Sequence, residues 1–375
     1  MNEVIIMGSN HHNTLGLVRS FGQMGVRPHL VIVSEGDECF VAKSKYVQGC
    51  KSFKDIDDSL RYVMENYCDP NGRNVLVTSA EEFTEAIDDN RDRLLPYFHL
   101  PVCEEKGRVR QLMDKAEMTS FAERCGITVP GSWVVRDRQM NEAIEFPCIT
   151  KALSSTEGSK SDMKICRSRA ELEAWISNPE HCANYIVQQY IKKEREVCVL
   201  GVVLQHSHEV VLSGYVEKIR ASSGGGTLYA VLKDKSDLGE EAERLVRMMR
   251  ETGYTGLFSA EYIVRDGKYY FLEVNFRNDA TCYVSTAAGL NLPFLWYRSC
   301  IEPNIVIPEM NQMHLPCYFM TEISDLRNLK NSRKITVYQW IRDLLKADCL
   351  FIFDKHDPKP FWSLLRSVAS KKKAR

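Results

Sequence analysis

The segment from Ala260 to Arg277 reads AEYIVRDGKYYFLEVNFR and decides how the rest of the sequence is interpreted. Its two apolar runs flank Asp266-Gly267, a pair of residues typical of a tight turn, and so predict a β-hairpin. Glu273 and Asn275 are two residues apart on the second strand, and their side chains therefore project from the same face of it. An acidic and an amide oxygen are thus expected side by side near the end of the hairpin.

The turn determines whether Glu261 joins this pair of oxygen donors. A two-residue turn places Glu261 opposite Leu272 and directs Glu273 to the other face of the sheet. A three-residue loop from Arg265 to Gly267, with the glycine in the left-handed conformation, places Glu261 opposite Phe271 and on the same face as Glu273. Both turns suit the sequence.

The two turns predict different chemistry for the hairpin. The three-residue loop collects two carboxylates and one amide on one face, which are the oxygen ligands that Mg²⁺ accepts while keeping positions for phosphate and water. The two-residue turn predicts an ordinary surface hairpin with a polar face. The segment alone favours neither interpretation over the other.

Composition narrows the class of protein. With 375 residues the chain is long enough for two or three domains, and 49 Lys+Arg against 50 Asp+Glu leave a net charge of −1 that predicts no nucleic-acid partner. Thirteen cysteines without a Cys-x-x-Cys pair predict reduced thiols rather than disulfides or a structural zinc. We expect no signal peptide and no membrane span of ~20 apolar residues, hence a cytoplasmic location.

The first hundred residues alternate between strand and helix, which predicts a parallel sheet with helices on its faces. The expected strands are Val4–Met7, His29–Val33 and Asn74–Thr78, and the expected helices are 14–24, 57–66 and one beginning near Glu81. The turn 8–12 follows the first strand, at the edge where open α/β sheets bind ligands. Its His11 and His12 are interpreted as solvated loop residues, with substrate contact as the alternative.

Two lysines in the middle of the chain stand where phosphate binding is expected. Lys151 ends the apolar strand 145–151 and is followed by 154–161, a loop of small residues whose backbone N–H groups can fold over phosphates. Lys115 precedes a helix that runs through Ala122 and ends at Gly126. Taken singly, each lysine is also compatible with an ordinary solvated charge.

The order of these features resembles the ATP-grasp superfamily. In sequence order they are DKAEMTSFAERCGITVP, FPCITK and its small-residue loop, IVQQYIKKEREVCV, YVEKIR and GLFSAEYIVRDGKYYFLEVNFR. The next segment, NFRNDATCYVSTAAGLNLPFLWY, resembles the branch of carboxylate–amine ligases that includes D-aspartate ligases and proteins like carbamoyl-phosphate synthetase.

The resemblance implies a mixed α/β and α+β fold. An N-terminal parallel α/β domain, as precedes the ATP-grasp fold in this superfamily, is expected over residues 1–105. A two-lobed ATP-grasp domain is expected over 106–303, with lobe A at 106–187 and lobe B at 188–303. A small C-terminal extension is expected over 304–375.

The resemblance also assigns roles to individual residues. It implies that Glu261, Glu273 and Asn275 bind Mg²⁺, with Mn²⁺ as the alternative ion. Glu196 is expected to hold the ribose hydroxyls, and Glu194 is the competing candidate because this hinge is one residue longer than the common spacing. The nucleotide-binding residues are expected to be Lys115, Lys151, Ser159, Gln189, Ile191 and Glu196, where Gln189 and Ile191 act through their backbones.

Two further residues are implied to be catalytic. Lys218 resembles the phosphate-contacting lysine of the second lobe, and Arg277 resembles the arginine that steadies the transferred phosphoryl group and the acyl phosphate. The sequence departs from the family pattern at Phe276, where proline is usual, and at Asn278-Asp279, where glycine is more usual. These departures lie beside the acceptor site and put the identity of the substrate in doubt.

The expected activity is ATP- and Mg²⁺-dependent joining of a small carboxylate to an amine through an acyl phosphate, releasing ADP and phosphate. Closing loops are useful in such a reaction because the intermediate hydrolyses in water; the candidate loops are 156–161 and 222–227. The alternatives are another ATP-grasp enzyme (a carboxylase, a thiol ligase or a kinase) and a catalytically silent ATP-binding module. A homodimer is compatible with this class of protein.

The tail after residue 304 poses a separate question. Residues 337–345 have the apolar spacing of a helix, 350–353 predict a short strand, and 361–368 form an apolar stripe ahead of three lysines. The favoured interpretation is a helix that packs on the nucleotide-binding fold with a solvated basic end. The alternative is a helix that makes peripheral contact with a membrane.

Overall fold

The computed structural model describes residues 2–34, 36, 38–140, 143–153, 162–308, 310–332 and 335–373. Within these ranges the strands form three sheets, of five, four and seven strands. The five-stranded sheet is parallel, and the four-stranded sheet is antiparallel. This mixture of α/β and α+β architecture confirms the predicted fold class.

The first sheet occupies the N-terminal hundred residues, and its strand order is β3-β2-β1-β4-β5. Its strands are β1 (Val4–Ser9), β2 (His29–Val33), β3 (Gly49–Phe53), β4 (Asn74–Thr78) and β5 (Phe98–His99); the helices are α1 (His12–Gly22), α2 (Ile56–Tyr67), α3 (Glu81–Asp89) and α4 (Arg91–Leu94). The connections leave β1 and β4 in opposite directions along the sheet. Ligands bind at such a switch point in open α/β sheets, and the loops that follow β1 and β4 lie there.

The second sheet carries Lys151, and its strand order is β6-β9-β7-β8. Its elements in chain order are α5 (Arg108–Met113), α6 (Lys115–Arg124), β6 (Ser132–Val135), β7 (Cys148–Ala152), β8 (Lys164–Cys166), α7 (Arg169–Ile176) and β9 (Tyr185–Gln189). Asp114 caps α6, because its side chain accepts hydrogen bonds from the backbone N–H groups of Ala116 and Glu117. This cap fixes Lys115 at the first residue of the helix.

The third sheet carries the hairpin of the predicted metal site, and its strand order is β14-β13-β10-β11-β12-β15-β16. Its first part contains β10 (Arg195–Val203), β11 (Val210–Ala221), β12 (Thr227–Lys233), α8 (Glu240–Glu251), β13 (Gly256–Arg265) and β14 (Lys268–Asn275), followed by α9 (Tyr283–Ala287) and α10 (Leu292–Ile301). Short 3-10 turns lie at Val41–Lys43, Lys235–Leu238 and Met310–Gln312.

The C-terminal segment extends the third sheet. Its elements are β15 (Cys317–Met320), α11 (Glu322–Ser332), α12 (Val337–Lys346), β16 (Cys349–Leu350) and α13 (Lys359–Lys373). Strand β15 pairs antiparallel with β12, and β16 pairs parallel with β15. The predicted strand at 350–353 is therefore shorter than expected and lies one residue earlier. The domain bounds stay predictions, although this pairing joins the C-terminal segment to the sheet of lobe B.

The last helix, α13, packs on the protein through its apolar stripe. Phe361, Leu364 and Leu365 contact the buried core, and the helix lies against the 3-10 turn Val41–Lys43 of the N-terminal part. The favoured interpretation had this helix on the nucleotide-binding fold, and the observed contact with the N-terminal part corrects it. Its basic end, 371–373, has side chains outside the described residues. No helix among the described residues has both the length and the apolar composition of a membrane span.

A fully buried ion pair ties the C-terminal segment to α1. Arg19 Nε lies 3.2 Å from Asp357 Oδ2, and both side chains are almost completely buried. The guanidinium also donates to the carbonyl oxygens of Phe351 and Ile352. Asp357 in turn accepts from Ser44 Oγ at 2.7 Å. These bonds satisfy both charges, which is what permits an ion pair to persist without water.

Removal of one charge from this pair is expected to destabilise the fold strongly. Asp357→Asn leaves the Arg19 guanidinium buried without its counter-charge, and we expect the free energy of unfolding to fall by about 3 kcal/mol or more. Urea unfolding followed by tryptophan fluorescence measures the change. The matched control is Asp58→Asn, which breaks an exposed pair with Arg61 and should cost less than about 1 kcal/mol. Equal losses in both variants would contradict the structural role of Asp357.

Candidate functional site

The β13–β14 hairpin has a two-residue turn. Arg265 pairs with Lys268, so Asp266 and Gly267 alone form the connection. Both turn residues have positive φ angles, 49° and 72°, as the tight hairpin turns with two left-handed residues require. The interpretation with a three-residue loop is therefore wrong, although it was the one that brought Glu261 onto the face of Glu273.

A β-bulge brings the carboxylates together instead. Tyr262 pairs with Phe271, but the next pair is Glu261 with Glu273, so Leu272 is an extra residue in β14. The bulge shifts the register by one and restores Glu261 and Glu273 to one face of the sheet. Beyond it, Asn275 lies opposite Ser259 and donates a hydrogen bond to Ser259 Oγ at 3.3 Å. The three predicted metal ligands thus lie on one face of two neighbouring strands.

The charge of this cluster is unfavourable without a cation. Burial and the neighbouring Glu273 raise the pKa of Glu261 to about 7, against a weaker opposing effect of Lys218. Two carboxylates in direct opposition on a sheet destabilise each other when both are ionised. The side-chain oxygen of Asn275 accepts from Arg277 at 3.0 Å and retains a second lone pair. This donor set of hard oxygens fits Mg²⁺ or Mn²⁺.

The raised pKa of Glu261 predicts the pH dependence of metal binding. Because protons and the metal compete for the same carboxylate, the affinity for Mn²⁺ should fall roughly tenfold per pH unit below about pH 7 and stay level above about pH 8. Titration of the protein with Mn²⁺ at constant ionic strength, with free Mn²⁺ followed by electron paramagnetic resonance, measures this. Glu261→Gln should bind more weakly and with a flatter pH profile. An affinity independent of pH between 5.5 and 8 in the parent would exclude Glu261 as a ligand.

Two lysines from lobe A lie near these carboxylates. Burial lowers the pKa of Lys151, an effect that Glu273 and Glu261 oppose and Lys115 reinforces. Lys115 is tied to the loop after β7 by a hydrogen bond from its backbone N–H to Leu153 O at 3.4 Å. Two cations and two carboxylates therefore meet where lobe A faces the hairpin. The predicted phosphate ligand Ser159 and the loop 156–161 lie outside the described residues.

Lobe B supplies a third lysine to the same cleft. Lys218 on β11 donates a hydrogen bond to Glu196 on β10 and lies 3.5 Å from the carbonyl oxygen of Gly225. Burial raises the pKa of Glu196, but the neighbouring Lys218 and Lys193 lower it. The net result is a pKa below the ordinary value of a glutamate. Glu196 is thus an ionised acceptor beside Lys218, and its role toward ribose stays a prediction.

The competing candidate for the ribose, Glu194, points to the hairpin instead. Its side chain accepts from the backbone N–H of Asp266 at 3.2 Å and lies 3.4 Å from Arg265. This geometry favours Glu196 over Glu194. Gln189 ends β9 with its own N–H bonded to Gly131 O at 2.7 Å, and Ile191 follows in the link to β10. Both predicted backbone contacts for adenine lie between the two lobes.

Arg277 lies where the N-terminal part meets lobe B. Its guanidinium is 3.8 Å from Glu81 Oε1 and 3.7 Å from Asp279 Oδ2. The adjacent Asn278 is bonded through its N–H to Thr78 O at 3.2 Å, and its carbonyl accepts from Asn13 Nδ2 at 2.9 Å. These bonds hold the Arg277 segment against the switch point of the parallel sheet.

Sequence reasoning missed two carboxylates at this place. Glu81 is the first residue of α3, and burial raises its pKa although Arg277 opposes the effect. Asp279 was noted only as a departure from the family pattern, yet it accepts from Thr281 Oγ1 at 2.6 Å and from Ser259 Oγ at 3.1 Å. The signal that could have found Glu81 is its position just after a central parallel strand.

The interpretation as solvated loop residues is confirmed for the exposed His11, which precedes α1, and is wrong for His12, which is the half-buried first residue of α1. His11 caps α1, because its side chain accepts from the backbone N–H of Asn13 at 3.2 Å. Partial desolvation and the charge of Arg277 lower the pKa of His11. Burial and His11 lower the pKa of His12 well below its usual value. Both rings are therefore neutral at pH 7, and His11 lies beside Arg277.

Comparison with known proteins finds a domain match and distant relatives. The ATP-grasp domain matches residues 120–290. A D-aspartate ligase of Enterococcus faecium is 22% identical over 63% of this chain, and a D-alanine–D-alanine ligase of Fusobacterium nucleatum is 29% identical over 44% of it. This chain spans 61% and 55% of the lengths of these two relatives.

A solved structure supports the same fold beyond the matched domain. The biotin carboxylase domain of the Hydrogenobacter thermophilus 2-oxoglutarate carboxylase superposes with a TM-score of 0.66 at 14% identity, over 85% of this chain and 73% of that one. The matched domain agrees with the order of motifs in the sequence, and the solved neighbour agrees with the observed fold. Residues 120–290 of this chain therefore match an ATP-grasp domain, and the surrounding structure has the fold seen in the solved neighbour.

Proposed function

We propose that the protein is an ATP- and Mg²⁺-dependent ligase that joins a carboxylate to an amine and releases ADP and phosphate. The observation that carries the proposal is the pairing of Glu261 with Glu273 at the bulge, with Lys151, Lys218 and Arg277 around it. Such an arrangement can bind the nucleotide phosphates together with a metal ion, and Arg277 can stabilise charge on the transferred phosphoryl group.

The chain's own residues perform three tasks in the proposed reaction. Lys115 and Lys151 neutralise phosphate charge from lobe A, and Lys218 does so from lobe B, where Glu196 holds its ammonium in place. Arg277 faces the acceptor side and stabilises charge on the phosphoryl group as it passes to the substrate carboxylate. Bound Mg²⁺ would supply neutralisation of the nucleotide phosphates, held by Glu261, Glu273 and Asn275.

The substrates are proposed to meet at the switch point of the parallel sheet. After phosphoryl transfer the amine attacks the acyl carbon, the carbon–oxygen bond to phosphate breaks, and the amine loses its proton. Two sequence relatives are ligases of D-aspartate and of D-alanine, which makes D-amino acids the first substrates to test. Glu81 and His11 lie beside Arg277.

Phosphate release against a matrix of carboxylates and amines, including D-aspartate and D-alanine, tests the proposal. We expect release to require one acid and to rise when one amine is added, with ADP and amide formed in equal amounts. Release that requires bicarbonate would show the carboxylase alternative, and phosphorylated product without amine dependence would show a kinase. Failure of Mg·ATP to bind, measured by calorimetry, would exclude every enzyme of this family. A homodimer remains a prediction, which light scattering after size exclusion measures.

A further inference from the structure

The loop between β11 and β12 is anchored at its base to the C-terminal helices. The loop comprises 222–226, and its turn is closed by hydrogen bonds from Ser222 N to Gly226 O at 2.9 Å and from Gly225 N to Ser222 O at 3.0 Å. Lys218, which faces the cleft, contacts it at Gly225 O. The loop therefore lies beside the lysine proposed to bind phosphate, and its stems determine where it can close.

A second β-bulge separates two basic side chains on the first stem. Lys218 pairs with Ala230, but the next pair is Arg220 with Tyr229, so Ile219 is an extra residue in β11. In a regular strand Lys218 and Arg220 would share a face, because they are two residues apart. The bulge turns Arg220 to the opposite face, where its guanidinium lies 5.1 Å from the ring centre of Tyr229.

Two aspartates from the C-terminal helices bind Arg220 on that face. Asp325 of α11 accepts from Nε at 2.8 Å and from Nη2 at 2.6 Å, and Asp343 of α12 accepts from Nη1 at 3.0 Å. All three side chains are about nine-tenths or more buried. A bidentate contact of this kind orients the arginine side chain and also neutralises its charge.

The second stem is bound by the same C-terminal segment. Thr321, between β15 and α11, donates its backbone N–H to Leu228 O at 2.8 Å and its hydroxyl to Thr227 O at 3.2 Å. Thr321, Asp325 and Asp343 therefore bind both stems of the loop, within a few residues of its tip. Nothing in the proposed chemistry requires this segment, and its bonds concentrate where the loop begins and ends.

We propose that α11 and α12 set the position of Lys218 and of the loop 222–226 through Arg220, and so govern closure of the loop over bound nucleotide phosphates. Arg220 is a positioning residue, because it contacts the aspartates and not the cleft. The inference rests on the proposed function, since it requires that a nucleotide bind beside Lys218. It gives the C-terminal segment a role in the closure of this loop.

Hydrogen exchange with a non-hydrolysable ATP analogue tests the inference without knowledge of the substrates. In the parent, Mg·AMP-PNP should slow exchange in peptides covering 218–228 by about tenfold. In Asp325→Asn, which keeps the shape and removes the forked charge, most of this protection should disappear while the affinity for Mg·AMP-PNP stays within about threefold. Asp343→Asn removes the single contact from α12 and should show a smaller loss in the same direction.

The matched control lies on the same strand and opposite face from Lys218. Glu217→Gln breaks ion pairs with Arg195 at 3.0 Å and Lys233 at 3.1 Å, but these contacts remain inside the sheet. It should keep the nucleotide-dependent protection of the loop. Equal protection in Asp325→Asn, Asp343→Asn and the parent would overturn the inference while leaving the proposed function intact. Absence of AMP-PNP binding to the parent would instead overturn the proposed function and this inference with it.

Discussion

Glu273→Gln should reduce ATP-dependent ADP release by about 10³-fold or more, because it removes one negative ligand from the site that gathers the nucleotide's metal. The same change should raise the thermal unfolding midpoint of the metal-free protein by a few degrees. In the parent, Glu273 lies directly opposite Glu261 and contributes to its raised pKa of about 7. Loss of one charge relieves that repulsion, so activity and stability should change in opposite directions.

Glu209→Gln is the control for Glu273→Gln, since it makes the same chemical change at an exposed position in the turn between β10 and β11. It should change neither turnover nor the unfolding midpoint. Single-turnover ADP release with Mg·ATP and differential scanning calorimetry without metal supply the two measurements. Full activity in Glu273→Gln would show that Glu273 is not a ligand of the metal. A lower unfolding midpoint would show that Glu273 has a structural role that the observed contacts do not explain.

Arg277→Lys should reduce the rate of phosphoryl transfer by about 10²–10³-fold while leaving the affinity for Mg·AMP-PNP within about threefold. The guanidinium fork contacts Asn275 at 3.0 Å and lies within 4 Å of Glu81 and Asp279. A lysine keeps the charge but cannot span these partners and a transferred phosphoryl group together. The loss should therefore appear in the chemical step and not in nucleotide binding.

Rapid-quench measurement of ADP formation, beside calorimetric titration with Mg·AMP-PNP, separates these two steps. Arg298→Lys is the control, because Arg298 of α10 pairs with Glu302, the residue that follows this helix, and has no contact with the proposed site residues among those described. It should behave as the parent in both assays. Equal losses of nucleotide affinity and rate in Arg277→Lys would show that Arg277 anchors nucleotide, and its assignment to the acceptor side would be wrong.

Local pattern predicted much of the framework. The strands His29–Val33 and Asn74–Thr78 have the bounds expected from their apolar runs, and the hairpin turn lies at Asp266-Gly267 as expected. Such features depend on neighbouring residues in the sequence, which alternation and turn chemistry describe. The ATP-grasp domain that matches residues 120–290 was also predicted from the order of motifs, which is retained at low overall identity.

The bulges could not be predicted in the same way. Leu272 and Ile219 are apolar residues in apolar strands, and nothing in their type signals that the partner strand skips them. Strict alternation therefore assigned Glu261 to the correct face only by assuming an incorrect turn. The contacts of Arg220 with Asp325 and of Arg19 with Asp357 were equally hidden, because they join residues more than a hundred positions apart.

The Arg19–Asp357 pair has a consequence for how the protein is made. The two partners are separated by 338 positions, so all of these residues must leave the ribosome after Arg19 before its guanidinium meets the carboxylate. Until then, either Arg19 stays exposed to water or its charge is buried without a partner. Burial of the unpaired charge costs several kcal/mol. Complete folding of the parallel sheet therefore depends on a segment that is synthesised much later.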